Sequence, residues 1–211
     1  AAKFVKKAGA DSITIHLRED RRHINEIDLK KIKNKIKIPL NLEIAATKEM
    51  LRIASKSKPT FICIVPEKRK EITTEGGLNL YHNKNFLKIL IKKLKNNKIR
   101  TSLFVEPKLK DLEQAKILNA DCVEIHTGKL CNLINKKKNF SKEFKRIVEA
   151  VKKGNELGLE VHAGHGLTYI SAKILSKIKG IQEFNIGHFL IGESIFVGMP
   201  STIKEFKKII K

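Results

Sequence analysis

The chain has 211 residues, which suits one domain over residues 1–211 with a sizeable core, and it combines 41% hydrophobic with 31% charged residues. Lysine and arginine outnumber acidic residues 44 to 22, so the formal net charge is +22 at pH 7. No apolar run approaches the roughly 20 residues that a membrane-spanning helix needs, which argues against a transmembrane protein.

Apolar runs of strand length alternate with amphipathic helical patterns along the chain. The predicted strands are residues 12–17, 39–45, 60–66, 101–107, 122–128, 159–164 and 183–188. The predicted helices are residues 28–35, 47–57, 85–97, 109–118, 141–157, 169–178 and 201–210. This alternation predicts a parallel sheet, and the near-continuous apolar character of the strands predicts that helices cover it.

Seven strand–helix units nearly complete an eightfold barrel, and the first residues have the pattern of an amphipathic helix that leads into a strand. We therefore expect an α/β fold, a (β/α)8 TIM barrel, whose first β-strand is missing from this sequence. An open doubly wound sheet is the alternative. Its glycine-rich GxGxxG signature does not follow the first strand.

The end of the first predicted strand carries a dense group of ionisable residues. Residues 16–23 contain two histidines, three arginines and two acids, although only 7 of the 44 basic residues in the chain are arginines. Arginine binds phosphate and carboxylate through a planar fork of donors. The segment therefore predicts an anion site, with the remaining charges at 19–22 expected to form ion pairs within the loop.

Reactive side chains also follow the other predicted strands, and the C-terminal strand ends of a barrel converge on one mouth where active sites lie. These residues are His16, Arg18, His23, Glu43, Glu67, Glu106, Glu124, His126, His162, His165 and His188. Glu43 lies inside an apolar strand, where desolvation raises a carboxyl pKa toward the range of general acid/base catalysis. A buried ion pair is the structural alternative for Glu43.

Glycines near the last two predicted strands indicate phosphate binding, because they let backbone N–H groups approach an anion. One set is Gly164-His165-Gly166, and the other is Gly187-His188 followed by Gly192. The loop at 73–77, which begins with Thr73, offers further hydroxyl and backbone donors.

Three other functions compete with this interpretation. A metal-dependent hydrolase or epimerase acting on a sugar phosphate would use His126, His162, His165, His188 and Glu124. The net charge suggests nucleic-acid binding, but the lysines are spread over nearly every helix and aromatic residues are few. A Schiff-base aldolase is not favoured, because Lys68, Lys108 and Lys129 fall in loops.

The three cysteines, Cys63, Cys122 and Cys131, are odd in number and form no CxxC pair. Cys63 and Cys122 lie in apolar runs, as buried thiols do. We expect a reducing, cytoplasmic setting.

These segments, in this order, resemble those of the pyridoxine 5′-phosphate synthase family. They are HLREDRRHI at 16–24, NLE at 41–43, VPEKR at 65–69, TTEGGL at 73–78, EIHTG at 124–128, HAGHGL at 162–167 and NIGH at 185–188. The resemblance implies a (β/α)8 barrel that condenses 1-deoxy-D-xylulose 5-phosphate with 3-amino-2-oxopropyl phosphate. The products are pyridoxine 5′-phosphate, inorganic phosphate and water. It also implies that no metal or organic cofactor is needed and that the subunits form a homo-octamer.

Carried over by position, His16 resembles the first proton acceptor of the family and Glu43 the second. His165 resembles the proton donor, and Glu124 the carboxylate that steadies a transition state. Arg18, His23 and Thr73 would hold the deoxyxylulose phosphate; Gly166, Gly187 and His188 would hold the aminoketone phosphate. The family's first strand, with its Asn-x-Asp-His segment, has no counterpart in this sequence, so we expect low activity from a chain without it.

Overall fold

The computed structural model describes residues 1–67 and 76–210. In chain order its elements are α1 Ala2–Lys7, β1 Ile13–His16, α2 Glu26–Lys35, β2 Leu40–Ile44, α3 Lys48–Ser57, β3 Phe61–Ile64, α4 Lys84–Asn96, β4 Arg100–Val105, α5 Leu109–Ile117, β5 Cys122–His126, α6 Gly128–Asn135, α7 Ser141–Glu156, β6 Glu160–Gly164, α8 Tyr169–Leu175, β7 Ile181–Asn185, α9 His188–Val197 and α10 Met199–Ile209. None of these helices is long and apolar enough to cross a membrane.

Within the described residues, seven strands form one parallel sheet in the order β1-β2-β3-β4-β5-β6-β7. Every strand therefore pairs with its neighbour in the chain, whereas a doubly wound sheet reverses its strand order at a switch point. The sheet curls until Thr14 of β1 donates a hydrogen bond from Oγ1 to Asn185 Oδ1 of β7, at 2.8 Å. The predicted barrel architecture is confirmed, with seven strands, and the open-sheet alternative is wrong.

Alternate residues of each strand face opposite sides of the sheet, and the two sides differ in chemistry. On β5, Val123 and Ile125 are fully buried in the apolar core between the sheet and the helices. Glu124 faces the barrel interior, where its carboxylate lies near Cys63 of β3 and Asn185 of β7. The apolar layer stabilises the fold, and the polar interior leaves ionisable groups pointing into the barrel.

Two regions differ from the sequence prediction. β7 covers Ile181–Asn185 instead of 183–188. Its pairing with β6 contains a bulge in which Gln182 is the extra residue, and Gln182 Oε1 accepts a hydrogen bond from the Val161 backbone N–H at 2.8 Å. Two helices, α6 and α9, were not predicted. α9 is mostly apolar without a distinct apolar face and none of its residues is buried, so it lacks the amphipathic pattern that identifies a helix packed on a sheet.

Candidate active site

The carboxyl ends of the strands bring acids and imidazoles from distant parts of the chain to one end of the barrel. His16 ends β1 and lies beside Glu43 of β2, because the two residues are register partners. Glu67 follows β3, Glu106 follows β4, and His126 ends β5. Parallel pairing thus assembles the predicted mouth.

His16 lies between two carboxylates. Its Nδ1 is 3.6 Å from Glu43 Oε2, and its Nε2 is 3.4 Å from Glu67 Oε2. Burial nevertheless lowers the pKa of His16 to about 4, with further lowering from the positive charges of Arg18 and His23. The imidazole is therefore neutral at pH 7 and able to accept a proton.

Glu43 is the most useful titrating group at the mouth. Burial raises the pKa of its carboxyl to about 7. It can therefore both take up and release a proton near neutral pH, as a general acid/base group must.

Glu124 sits deeper in the barrel, with only 3% of its surface exposed. Its Oε2 accepts a hydrogen bond from Asn185 Nδ2 at 2.9 Å. Burial raises the pKa of Glu124 well above its usual range, and the negative charges of Glu43 and Glu183 raise it further. The neutral form of the Glu124 carboxyl is consequently favoured over the carboxylate.

Gly164 makes room for this acid. A Cβ atom at position 164 would lie 1.9 Å from Glu124 Oε1, far inside van der Waals contact. Glycine is therefore the residue that allows β6 and the Glu124 carboxyl to occupy neighbouring space.

A second group forms around His165, which follows β6 with a positive φ of 75°. The rings of His126 and His165 lie 4.9 Å apart between centroids. His126 Nδ1 is 2.8 Å from Glu106 Oε1, and this hydrogen bond is the main reason that the pKa of Glu106 is lowered to about 2. Burial and the nearby charges of His126 and His188 lower the pKa of His165.

A cleft of about 500 Å³ opens beside this pair of rings. It is lined by Gly76, His126, Gly128, Lys129, Asn132, Leu133, Lys136, Lys138 and His165. The neutral, proton-exchanging groups of the mouth thus adjoin a cationic rim that is suited to an anionic ligand.

Comparison with known proteins identifies the family. The family model described as pyridoxal phosphate biosynthesis protein PdxJ matches residues 1–211. The chain belongs to this family. A relative from Pelagibacter ubique named pyridoxine 5′-phosphate synthase is 58% identical over 208 residues, covering 99% of this chain and 87% of the relative. A relative of the same name from Syntrophotalea carbinolica is 49% identical over 210 residues, covering 100% and 87%.

Solved structures confirm the architecture of this PdxJ family chain. A 3-keto-L-gulonate-6-phosphate decarboxylase from Vibrio cholerae has a TM-score of 0.71 at 12% identity, with 99% of this chain and 88% of that chain covered. The tryptophan synthase A-subunit from Pyrococcus furiosus has a TM-score of 0.63 at 14% identity, with 99% and 91% covered. At these identities the similarity is one of fold alone.

The ligand residues predicted from the PdxJ family resemblance occupy the same end of the barrel. Arg18 is 3% exposed, and its Nε lies 3.4 Å from Asp20 Oδ1 and 3.9 Å from Glu67 Oε1. His23 is exposed in the loop before α2, and Gly166 has a positive φ of 78°. Gly187 and the exposed His188 form the start of α9. Thr73 lies outside the described residues.

Of the charges expected to pair within the loop, Arg22 and Asp20 do so, whereas Arg21 pairs with Glu26 of α2 and Glu49 of α3. Arg21 binds Glu26 at 2.8 Å and also binds Glu49, while Arg22 binds Asp20 at 2.5 Å. These pairs fix the loop that carries Arg18.

The geometry does not assemble the metal site of the hydrolase alternative. That site required His162 to join His126, His165 and Glu124 at the mouth. His162 Nε2 instead lies 2.8 Å from Glu160 Oε1, and Glu160 is the first residue of β6, at the opposite end of the barrel.

Sequence reasoning missed two residues that support the PdxJ site. Asn185 donates a hydrogen bond to Glu124, and Arg146 Nη2 of α7 lies 3.4 Å from Glu106 Oε2. Asn185 is the first residue of the NIGH segment at 185–188, and Arg146 is one of only seven arginines in a lysine-rich chain. Both residues could have been noticed in the sequence, but the sequence does not indicate which carboxyl group each of them contacts.

Proposed function

We propose that this chain condenses 1-deoxy-D-xylulose 5-phosphate with 3-amino-2-oxopropyl phosphate, giving pyridoxine 5′-phosphate, phosphate and water. The relatives named pyridoxine 5′-phosphate synthase support this reaction. The observation that carries it is the set of proton-exchanging groups at the mouth, where His16 is neutral and Glu43 titrates near pH 7. Ring formation between two bound substrates consists largely of proton transfers and dehydrations, which such groups accelerate.

His16 is the proposed first proton acceptor. Its low pKa keeps a free nitrogen available at all physiological pH values. Glu43, 3.6 Å away, is the proposed second acceptor. A proton taken up by Glu43 can be returned to a leaving hydroxyl, because its pKa lies near 7.

His165 is the proposed proton donor. Because its pKa is lowered, the imidazole is neutral in the free protein and must first receive the proton that it later donates. The neighbouring His126, with its ring held by Glu106, restricts how the His165 ring can turn.

Glu124 is proposed to steady a transition state. Because burial favours its neutral carboxyl form, Glu124 can donate a hydrogen bond to an oxygen on which negative charge develops. The Asn185 amide fixes its orientation.

The remaining residues are proposed to bind the phosphate groups of the two substrates. Arg18, His23 and Thr73 hold the deoxyxylulose phosphate, and Gly166, Gly187 and His188 hold the aminoketone phosphate. The backbone N–H groups at the start of α9 supply donors for a phosphate. No cofactor enters the proposed reaction.

The test is an assay that mixes both substrates with the chain and with a longer form that carries the family's first strand, and follows pyridoxine 5′-phosphate. Product from the longer form, lost in Glu43→Gln and retained in the surface variant Glu156→Gln, is expected. Failure of the longer form to make product overturns the proposal.

We also propose that the chain self-associates, as the octamer of the family resemblance implies. A second copy would cover the apolar side chains that α9 exposes, among them Ile195 at 79% and Phe196 at 84%. Light scattering should give a mass that is a multiple of 24.0 kDa, and Phe196→Lys should reduce it. The three free thiols agree with the proposed cytoplasmic setting.

A further inference from the structure

A second group of reactive side chains lies at the end of the barrel opposite the mouth. Cys122 is the first residue of β5 and Glu160 is the first residue of β6, and the two are register partners. His162 lies two residues beyond Glu160 and therefore faces the same side of the sheet. The three side chains each offer one ligand atom, and these atoms all lie within 4.8 Å of one another.

We propose that Cys122, Glu160 and His162 form a binding site for a divalent transition-metal ion of the zinc class. Thiolate, carboxylate and imidazole are the side-chain ligands that zinc takes, usually in tetrahedral geometry. Cys122 and His162 are almost fully buried, so both are held by the strands. Glu183, the register partner of His162 on β7, is the proposed fourth ligand.

Arg100 holds positive charge at this place in the metal-free chain. Its Nη2 lies 2.6 Å from Glu160 Oε2 and 3.4 Å from Cys122 Sγ, and its guanidinium carbon lies 4.9 Å from the centre of the Phe61 ring. The Arg100 side chain is 44% exposed, so it can turn into solvent. A metal ion must therefore displace the guanidinium as well as the thiol proton, and Arg100 acts as a competitor for the site.

Cys122, Glu160 and His162 have no role in the proposed reaction. The Glu43, Glu124 and His165 side chains serve the mouth, whereas Cys122 and Glu160 begin their strands at the other end. A bound ion would join β5 to β6. Because the unfolded chain lacks the arrangement, binding would stabilise the native state.

The test titrates the metal-free chain of 211 residues with Zn²⁺ by calorimetry and with Co²⁺ by absorption spectroscopy. We expect one bound ion and a cobalt–thiolate charge-transfer band. Cys122→Ser should abolish the band, and His162→Gln should weaken Zn²⁺ binding at least about tenfold, whereas the matched control Cys131→Ser should retain both. Arg100→Ala should bind at least about tenfold more tightly, because a competing positive charge is removed.

The Arg100 variant keeps the test decisive if a core variant is unstable, because Arg100 is partly exposed and its loss should increase binding. Metal-free variants are first compared by circular dichroism. A wild-type chain and an Arg100→Ala variant that both fail to bind Zn²⁺ overturn the proposal. So does a cobalt complex that lacks the thiolate band, or binding that Cys122→Ser and His162→Gln leave unchanged.

Discussion

Thr14 of β1 donates a hydrogen bond to Asn185 of β7, with 2.8 Å between Oγ1 and Oδ1, and so connects the first and last strands of the described sheet. Asn185 Nδ2 in turn donates to Glu124 Oε2 at 2.9 Å. Asn41 Nδ2 donates to Thr14 Oγ1 at 3.4 Å. Four strands thus contribute to one polar row, and the orientation of Glu124 depends on how the barrel closes.

Loss of the Thr14 hydroxyl should change the orientation of the Glu124 carboxyl, because Asn185 contacts both residues. Thr14→Val keeps the shape of the side chain but removes the donor to Asn185, which frees the amide to turn. We expect kcat to fall about fivefold, the equivalent of one hydrogen bond, with KM nearly unchanged. Steady-state kinetics measure both. Thr101→Val is the matched control, because the buried Thr101 hydroxyl has no hydrogen-bond partner among the described residues.

Glu43→Gln should slow turnover while leaving substrate binding nearly intact. The amide cannot exchange the proton that a carboxyl with a pKa near 7 exchanges, so kcat should fall about 10²- to 10⁴-fold. In the parent chain, kcat/KM should rise with pH through about 7 as Glu43 ionises. That rise should disappear from the variant profile.

The exposed Glu156→Gln replacement provides the control for this loss of charge. A Glu43→Gln variant with normal kcat but lowered stability would assign Glu43 to structure instead of catalysis.

Glu43 and His16 should affect stability with opposite dependence on pH. The pKa of Glu43 is raised from 4.5 to about 7, so its contribution is present below pH 4.5 and is lost as the pH rises through 7. The pKa of His16 is lowered from 6.5 to about 4, so its contribution is present above pH 6.5 and is lost as the pH falls through 4. Each effect is about 3 kcal/mol, and between pH 4.5 and 6.5 they largely cancel.

Single variants should separate the two effects. Urea unfolding of Glu43→Gln should show a free energy of unfolding that rises from pH 4.5 to 6.5, since the His16 effect then acts alone. His16→Gln should show the reverse. Parallel pH profiles for the two variants would refute this assignment.

Gly164→Ala should destabilise the chain because its methyl group would overlap the Glu124 carboxyl. We expect a loss of about 1–3 kcal/mol in the free energy of unfolding, together with reduced activity. The double variant Gly164→Ala/Glu124→Ser should regain much of the stability, because the shorter serine side chain no longer overlaps the methyl group at position 164. Gly192→Ala is the control, since a Cβ there meets no atom within 4 Å. Additive losses in the double variant would contradict the direct clash.

Much of the site followed from strand order. His16, Glu43 and Glu124 could be placed at one end of a barrel because parallel strands align their carboxyl ends. The contacts between Thr14 and Asn185 and between Arg146 and Glu106 could not be predicted, because they depend on the curvature of the sheet and the position of α7. The predicted start of β7, residue 183, was two residues too late, because an apolar pattern gives no sign of a bulge.

The excess of lysine has a kinetic consequence for a protein whose proposed substrates are both phosphate esters. The chain carries a formal net charge of +22, and Lys129, Lys136 and Lys138 border the cleft beside His165. Such a field concentrates dianions near the mouth before any specific contact is made. Capture should therefore slow as ionic strength rises, while the proton transfers inside the barrel, shielded from mobile ions, keep their rate.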